Sequence, residues 1–270
     1  MRQSDGKDST GRELEMLLEG KNALVYGAGA IGGAVARGFA AEGAAVFVAS
    51  RSGEKAEALA TAIRENGGTA SASEVDALDE AQVEAFVGGV AGRAGSVDVS
   101  FNLIAIDDVQ GVPLAEISYD DFAQPVLKAM RSTFLTARAA ARRMAAGDGG
   151  AILAFGGSSA GATLPPEHSF GGLLVAFEAV EALRRQLSIE FGRDGVRFVT
   201  LRTGGVPETL PAELGGSLDG IERGIVESTL LGRAATLEDV AAVAAFVASD
   251  RARTMTAATV NVSAGALVDY

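Results

Sequence analysis

The segment Asn22-Ala23-Leu24-Val25-Tyr26-Gly27-Ala28-Gly29-Ala30-Ile31-Gly32-Gly33 decides the fold. Its first five residues form a short apolar run of the kind found in buried strands, and a helical pattern follows as far as Gly43. Between the two stands G-x-G-x-x-G, as Gly27, Gly29 and Gly32. Each glycine answers a separate need. The first makes a tight turn, the second lets backbone approach a pyrophosphate, and the third allows close helix–strand packing. The helix start then offers free N–H groups and a positive dipole end to phosphate oxygens. Strand, glycine loop and helix in this order predict a dinucleotide site that includes Ile31 on the first helical turn.

Outward from this unit the same alternation continues. Strands are expected at Ala45–Ala49, ending near Val75, at Val97–Ala105, Ala151–Phe155, Val196–Leu201 and Ala258–Val262. Helices are expected at 54–66, 81–94, 118–145, 172–191 and 236–249. Thr203 to Ser228, rich in Gly and Pro, reads as an irregular insertion. Strands alternating with long helices predict an α/β fold: one Rossmann-type, doubly wound parallel sheet of about seven strands covered on both faces. No linker divides it. Residues 1–17 read as a polar, flexible extension, and 18–270 as one dinucleotide-binding domain.

The end of the second strand tests which dinucleotide fits. An NAD site usually has an acidic residue there for the ribose 2′-OH. This chain has Ser50, Arg51 and Ser52. A guanidinium beside neutral serines suits a 2′-phosphate, so NADP(H) is expected over NAD(H).

Composition removes several alternatives. The chain has 270 residues, 48% of them hydrophobic, enough to bury the core of one large domain. A net charge of -12 argues against nucleic-acid and anionic-membrane partners. Zero cysteines and one histidine exclude thiolate chemistry and a multi-His metal site within the chain. No apolar run approaches the ~20 residues of a membrane span. The N-terminal MRQSDGKDSTGRELE lacks an apolar signal core, so a soluble, cytoplasmic protein is expected.

These residues together resemble the short-chain dehydrogenase/reductase family over nearly all of 18–268. LEGKNALVYGAGAIGGAVARGFAAEGAAVFVASR looks like the family's first βαβ unit, and Val75-Asp76 resembles its adenine-contacting position. Asp98-Val99-Ser100-Phe101-Asn102 matches the strand that begins Asp-Val-x-x-Asn. Gly192–Arg197 and Leu231–Val240 look like the C-terminal half. The resemblance implies cofactor contacts at Asp76, Asn102, Gly204, Val206 and Thr209, and a substrate lid at about 207–228. It also implies a homodimer or homotetramer paired through the two long helices, which are rich in alanine (Ala137, Ala139, Ala140, Ala141, Ala176, Ala179, Ala182).

The departures from the family pattern bear on chemistry. The family's signature is Tyr-x-x-x-Lys, yet no lysine follows Lys128. Alignment from Val180 puts Leu173 at the Tyr position and Phe177 at the Lys position. Ala129 falls where the catalytic Asn is expected, Leu103 replaces the second Asn of Asn-Asn-Ala-Gly, and Tyr26 replaces a Thr. Of the usual tetrad only a serine remains, Ser158 or Ser159. His168 is a candidate substitute proton donor, its ordinary alternative being a packing role, and Asp107 and Asp108 follow the fourth strand. The expectation is an NADP(H)-dependent reductase of a carbonyl or an imine/iminium group in a small apolar substrate. The alternative is a non-redox protein on the same fold: a cofactor-binding regulator, or a cyclase or dehydratase.

Overall fold

The computed structural model describes residues 16–156, 169–210 and 218–268. Seven strands are present: β1 (Asn22–Tyr26), β2 (Ala45–Ser50), β3 (Thr69–Glu74), β4 (Val99–Asn102), β5 (Gly150–Gly156), β6 (Val196–Thr203) and β7 (Ala258–Val262). They lie in the order β3-β2-β1-β4-β5-β6-β7, and each neighbouring pair is parallel. Among the described residues seven α-helices accompany them: α1 (Ala30–Ala41), α2 (Gly53–Glu65), α3 (Glu80–Ala94), α4 (Tyr119–Ala145), α5 (Leu173–Phe191), α6 (Leu218–Glu227) and α7 (Leu237–Ala248).

All five residues of β1 are buried, because it is a central strand with helices on both sides. Its side chains alternate between two cores. Ala23 and Val25 join Val35 and Phe39 of α1, Leu59 and Ile63 of α2, and Val240 and Val247 of α7. Leu24 and Tyr26 join Val83, Phe86 and Val90 of α3, Leu135 and Ala140 of α4, and Val180 of α5. This is the expected doubly wound α/β fold. Leu18 is fully buried in the first core, and the Leu17 amide donates to Glu42 Oε2 at 2.8 Å. Among the described residues no helix is long and apolar enough to cross a membrane.

Three expectations change. The fourth strand is shorter than Val97–Ala105, because Asn102 Oδ1 accepts the Ile104 N–H at 3.0 Å and turns the chain. The segment after Thr203 is not irregular throughout: α6 spans ten residues of it, and Ile225 packs over Gly205. Its glycines obscured an apolar spacing of Leu218, Ile221 and Ile225. The alanines of the long helices are mostly used within the chain. Ala137, Ala139, Ala140, Ala141 and Ala176 are buried, whereas Ala182 is exposed.

Candidate functional site

The strand order reverses between β1 and β4, where crevices for nucleotides form outside the carboxyl ends of the strands. The glycine loop stands at that point. Gly27 turns with φ +107°, and its N–H donates to the Ala49 carbonyl at 2.8 Å. A Cβ at Gly27 would lie 2.6 Å from the Leu103 carbonyl oxygen, and one at Gly32 would lie 2.1 Å from the Gly27 carbonyl oxygen. Only glycine fits either place. At Gly29, by contrast, a Cβ would meet nothing within 4 Å, so this residue borders open space.

Helices α2, α3, α4 and α7 begin with side-chain caps from Ser52, Asp79, Ser118 and Thr236. Helix α1 begins at Gly29 with no side-chain cap. Among the described residues no side chain accepts from its first N–H groups, which adjoin the open space beside Gly29. An uncapped helix start next to a glycine that leaves room is a cradle for phosphate oxygens.

Two cavities meet at this loop. One, of about 290 Å³, is lined by Gly27, Gly29, Ser50, Arg51, Ser52, Asp76, Leu78 and neighbouring residues. The other, of about 730 Å³, is lined by Gly29, Ile31, Gly32, Asn102, Thr209 and a largely apolar wall. Gly29, Leu103, Ile104, Ala105 and Asp107 border both, so the two form one cleft. The uncapped helix start bordering both cavities and the basic groups of the smaller one, Arg51, Lys55 and Lys128, suit the phosphates of a dinucleotide. Ser50, Arg51 and Ser52 would hold the adenosine end, and the start of α1 would hold the pyrophosphate.

Of the cofactor residues expected from sequence, Gly204 and Val206 border neither cavity. Val206 is buried in the core, and Gly204 lies against Ala266. The Asp76 carboxylate accepts the Leu78 N–H at 2.9 Å, which holds the floor of the smaller cavity in shape. Asn102 is tied at both ends of its amide, to Ile104 N–H and to Thr136 Oγ1 at 3.2 Å. The Thr209 hydroxyl donates to the Val206 carbonyl at 2.7 Å. Ser158, Ser159 and His168 lie outside the described residues.

Sequence reasoning missed two basic residues. Lys55, on the first turn of α2, and Lys128, on α4, both line the smaller cavity. Lys128 pairs with Asp107, which has φ +55°. The end of the Gln124 side chain lies 3.2 and 2.8 Å from the Ile106 and Asp107 carbonyl oxygens, so with its amide nitrogen turned toward these acceptors it ties α4 to the loop after β4 a second time. Lys55 stands four residues after Arg51, a spacing that reading the α2 cap at Ser52 puts on one side of the loop. Nothing local in the sequence points to Lys128.

Leu173, Phe177, Leu103 and Ala129 all line the larger cavity, with Ile104, Ile106, Phe155 and Val180. Tyr26 does not. Its ring is buried edge-on to Phe86, with centroids 5.6 Å apart, and among the described residues its hydroxyl has no hydrogen-bond partner. Burial, with Glu84 adding to it, pushes the phenol far above its ordinary value. Tyr26 stays neutral in the core and is no proton donor to the cleft.

Comparison with known proteins agrees with this geometry. A family model described as enoyl-(acyl carrier protein) reductase matches residues 27–266. D-threitol dehydrogenase of Mycolicibacterium smegmatis is 30% identical over 94% of this chain and 95% of its own. L-rhamnose 1-dehydrogenase (NAD(P)(+)) of Azotobacter vinelandii is 31% identical over 94% of this chain and 99% of its own. The solved structure of a gluconate 5-dehydrogenase from Burkholderia cenocepacia, in complex with NADP and tartrate, superposes with a TM-score of 0.82. It is 25% identical and covers 93% of this chain and 97% of its own. The parallel sheet, the glycine loop and likenesses along nearly the whole length place this chain in the short-chain dehydrogenase/reductase family of oxidoreductases, which use nicotinamide cofactors.

Proposed function

We propose that this chain is an NADP(H)-dependent reductase of a carbonyl or imine/iminium group in a small apolar substrate, working with a non-standard active site. The observation that carries the reading is the single cleft: a basic adenosine end, a phosphate cradle at Gly29, and a larger apolar chamber beyond it. Arg51, with Ser50 and Ser52, would favour the 2′-phosphate. When bound, the nicotinamide supplies a hydride, and the protein supplies position and electrostatics.

The residues of the chamber bind and exclude water more than they move protons. Leu173 and Phe177 bring apolar surface to the place where the family resemblance puts the acid/base pair. Loss of a positioned general acid typically costs about 10²–10⁴ in rate. The reading therefore assigns substrate orientation to Ser158 or Ser159 and, for carbonyl substrates, proton donation to His168. Residues from 207 to 228, including α6, serve as the lid, and two or four copies assemble through α4 and α5.

A fluorescence titration with NADPH and, in parallel, NADH tests the reading. Tight NADPH binding with a clear preference over NADH is the expected result. Absence of binding by either would end the reductase reading and favour a non-redox role.

A further inference from the structure

We infer that the chamber selects a cationic substrate, a cyclic iminium ion, and that Asp108 is the residue that selects it. The inference rests on the reductase reading above and decides between its carbonyl and iminium branches.

Charge is the first observation. Among the described residues lining the larger cavity, the ionisable side chains are Asp107 and Asp108, and no lysine or arginine faces it. The two carboxylates are not equivalent. Asp107 is exposed and is neutralised by Lys128. Asp108 is half-buried, and its carboxylate receives a hydrogen bond from the neutral Gln110 amide. Among the described residues no cation pairs with Asp108, and a neutral donor leaves its charge to be balanced by a cation in the chamber.

The second observation is the rest of the wall. Phe155 and Phe177 offer aromatic surface to a cation, an attraction of about 0.5–2 kcal/mol where water is thinned out. Among the described residues the other polar lining groups, Asn102, Gln110, Ser132, Thr133 and Thr209, are amides and alcohols, which are poor acids near neutral pH. A ketone needs a proton on oxygen as its carbon is reduced. An iminium ion does not. Its carbon takes up a hydride, forming one C–H bond as the C=N π pair becomes the nitrogen lone pair, and it leaves as a neutral amine, tertiary where the nitrogen is alkylated. The reduced nicotinamide is the electron source and is oxidised in return. No proton donor is consumed, so a chamber with this lining suits the cation on both binding and chemistry. The net charge of -12 also enriches cations near the protein.

Calorimetry and turnover test this together. N-methyl-dihydroisoquinolinium is compared with tetralone, a neutral ketone of similar ring size, and a quaternary N,N-dimethyl tetrahydroisoquinolinium serves as an unreactive cation. Both cations are expected to bind about tenfold or more tightly than tetralone. The Asp108→Asn variant should lose that advantage, and Asp108→Glu should keep most of it. With NADPH, the iminium ion should be reduced far faster than tetralone, and Asp108→Asn should raise KM more than it lowers kcat. Equal binding of cation and ketone, or an unaltered preference in Asp108→Asn, would overturn the inference while leaving the NADPH titration free to support the reductase reading. Cation selectivity without NADPH binding would keep the Asp108 assignment and remove the reductase reading.

Discussion

A methyl group added at Gly32 would sit 2.1 Å from the Gly27 carbonyl oxygen, whereas one added at Gly29 would meet nothing within 4 Å. The same residue type therefore serves two different ends in one loop. Gly32→Ala forces backbone against backbone, which cannot give way by a rotamer change, and should cost about 1–3 kcal/mol of stability. Gly29→Ala should fold almost as the parent does, with about 1 kcal/mol or less lost at the helix start. Its methyl group would occupy the space where phosphate oxygens approach, so NADPH affinity should fall roughly tenfold or more. Thermal denaturation and NADPH titration on both variants separate the two effects. Undiminished NADPH binding by Gly29→Ala would mean that the dinucleotide does not lie against this loop.

Among the elements, α7 has the most complete start. Thr236 Oγ1 accepts the Asp239 N–H at 3.0 Å, and Asp239 Oδ2 accepts the Thr236 N–H at 3.0 Å and pairs with Arg233 at 2.7 Å. The Arg233 hydrogen bond first, then the Thr236 amide, hold the Asp239 carboxyl below its ordinary value. A carboxyl with a depressed folded pKa adds stability above its unfolded value and loses that contribution as pH falls through the folded one. Asp239→Asn should therefore weaken the fold near neutral pH, and the difference from the parent should shrink below about pH 4. Urea denaturation at neutral and acid pH reads this directly. A constant difference across that range would show that the charge on Asp239 contributes nothing. Elements like this one were legible in the sequence because caps and apolar spacing are local. The boundaries at β1, α4 and β7 came within a residue or two for that reason. β3 gave a weak signal because it is an edge strand with half of its residues exposed. In the cleft, the glycines were legible as a compact local motif and Arg51 by its place just after the second strand. Lys128 was not, since it reaches the cleft only because α4 packs beside the loop after β4.

For the molecule as a whole, a ligand that binds only the folded chain raises its stability by mass action. At a hundredfold excess over its Kd, NADPH should add about 2.7 kcal/mol. For a domain of this size that is a rise in Tm of roughly 5–10 °C. NADH at equal concentration should raise it much less if Arg51 discriminates, and equal shifts would remove that residue from cofactor choice. The strand order carries a separate consequence, for how the chain is made. β1, β2 and β3 adjoin one another in the sheet and are contiguous in sequence, with α1 and α2 between them. Most of the lining of the smaller cavity, from Gly27 to Leu78, is synthesised before β4. The chamber needs Phe155, Phe177, Val180 and Thr209 as well, and so closes only when most of the chain has emerged. The smaller half of the cleft can thus take shape first, with the larger chamber completed around it as the rest of the chain folds.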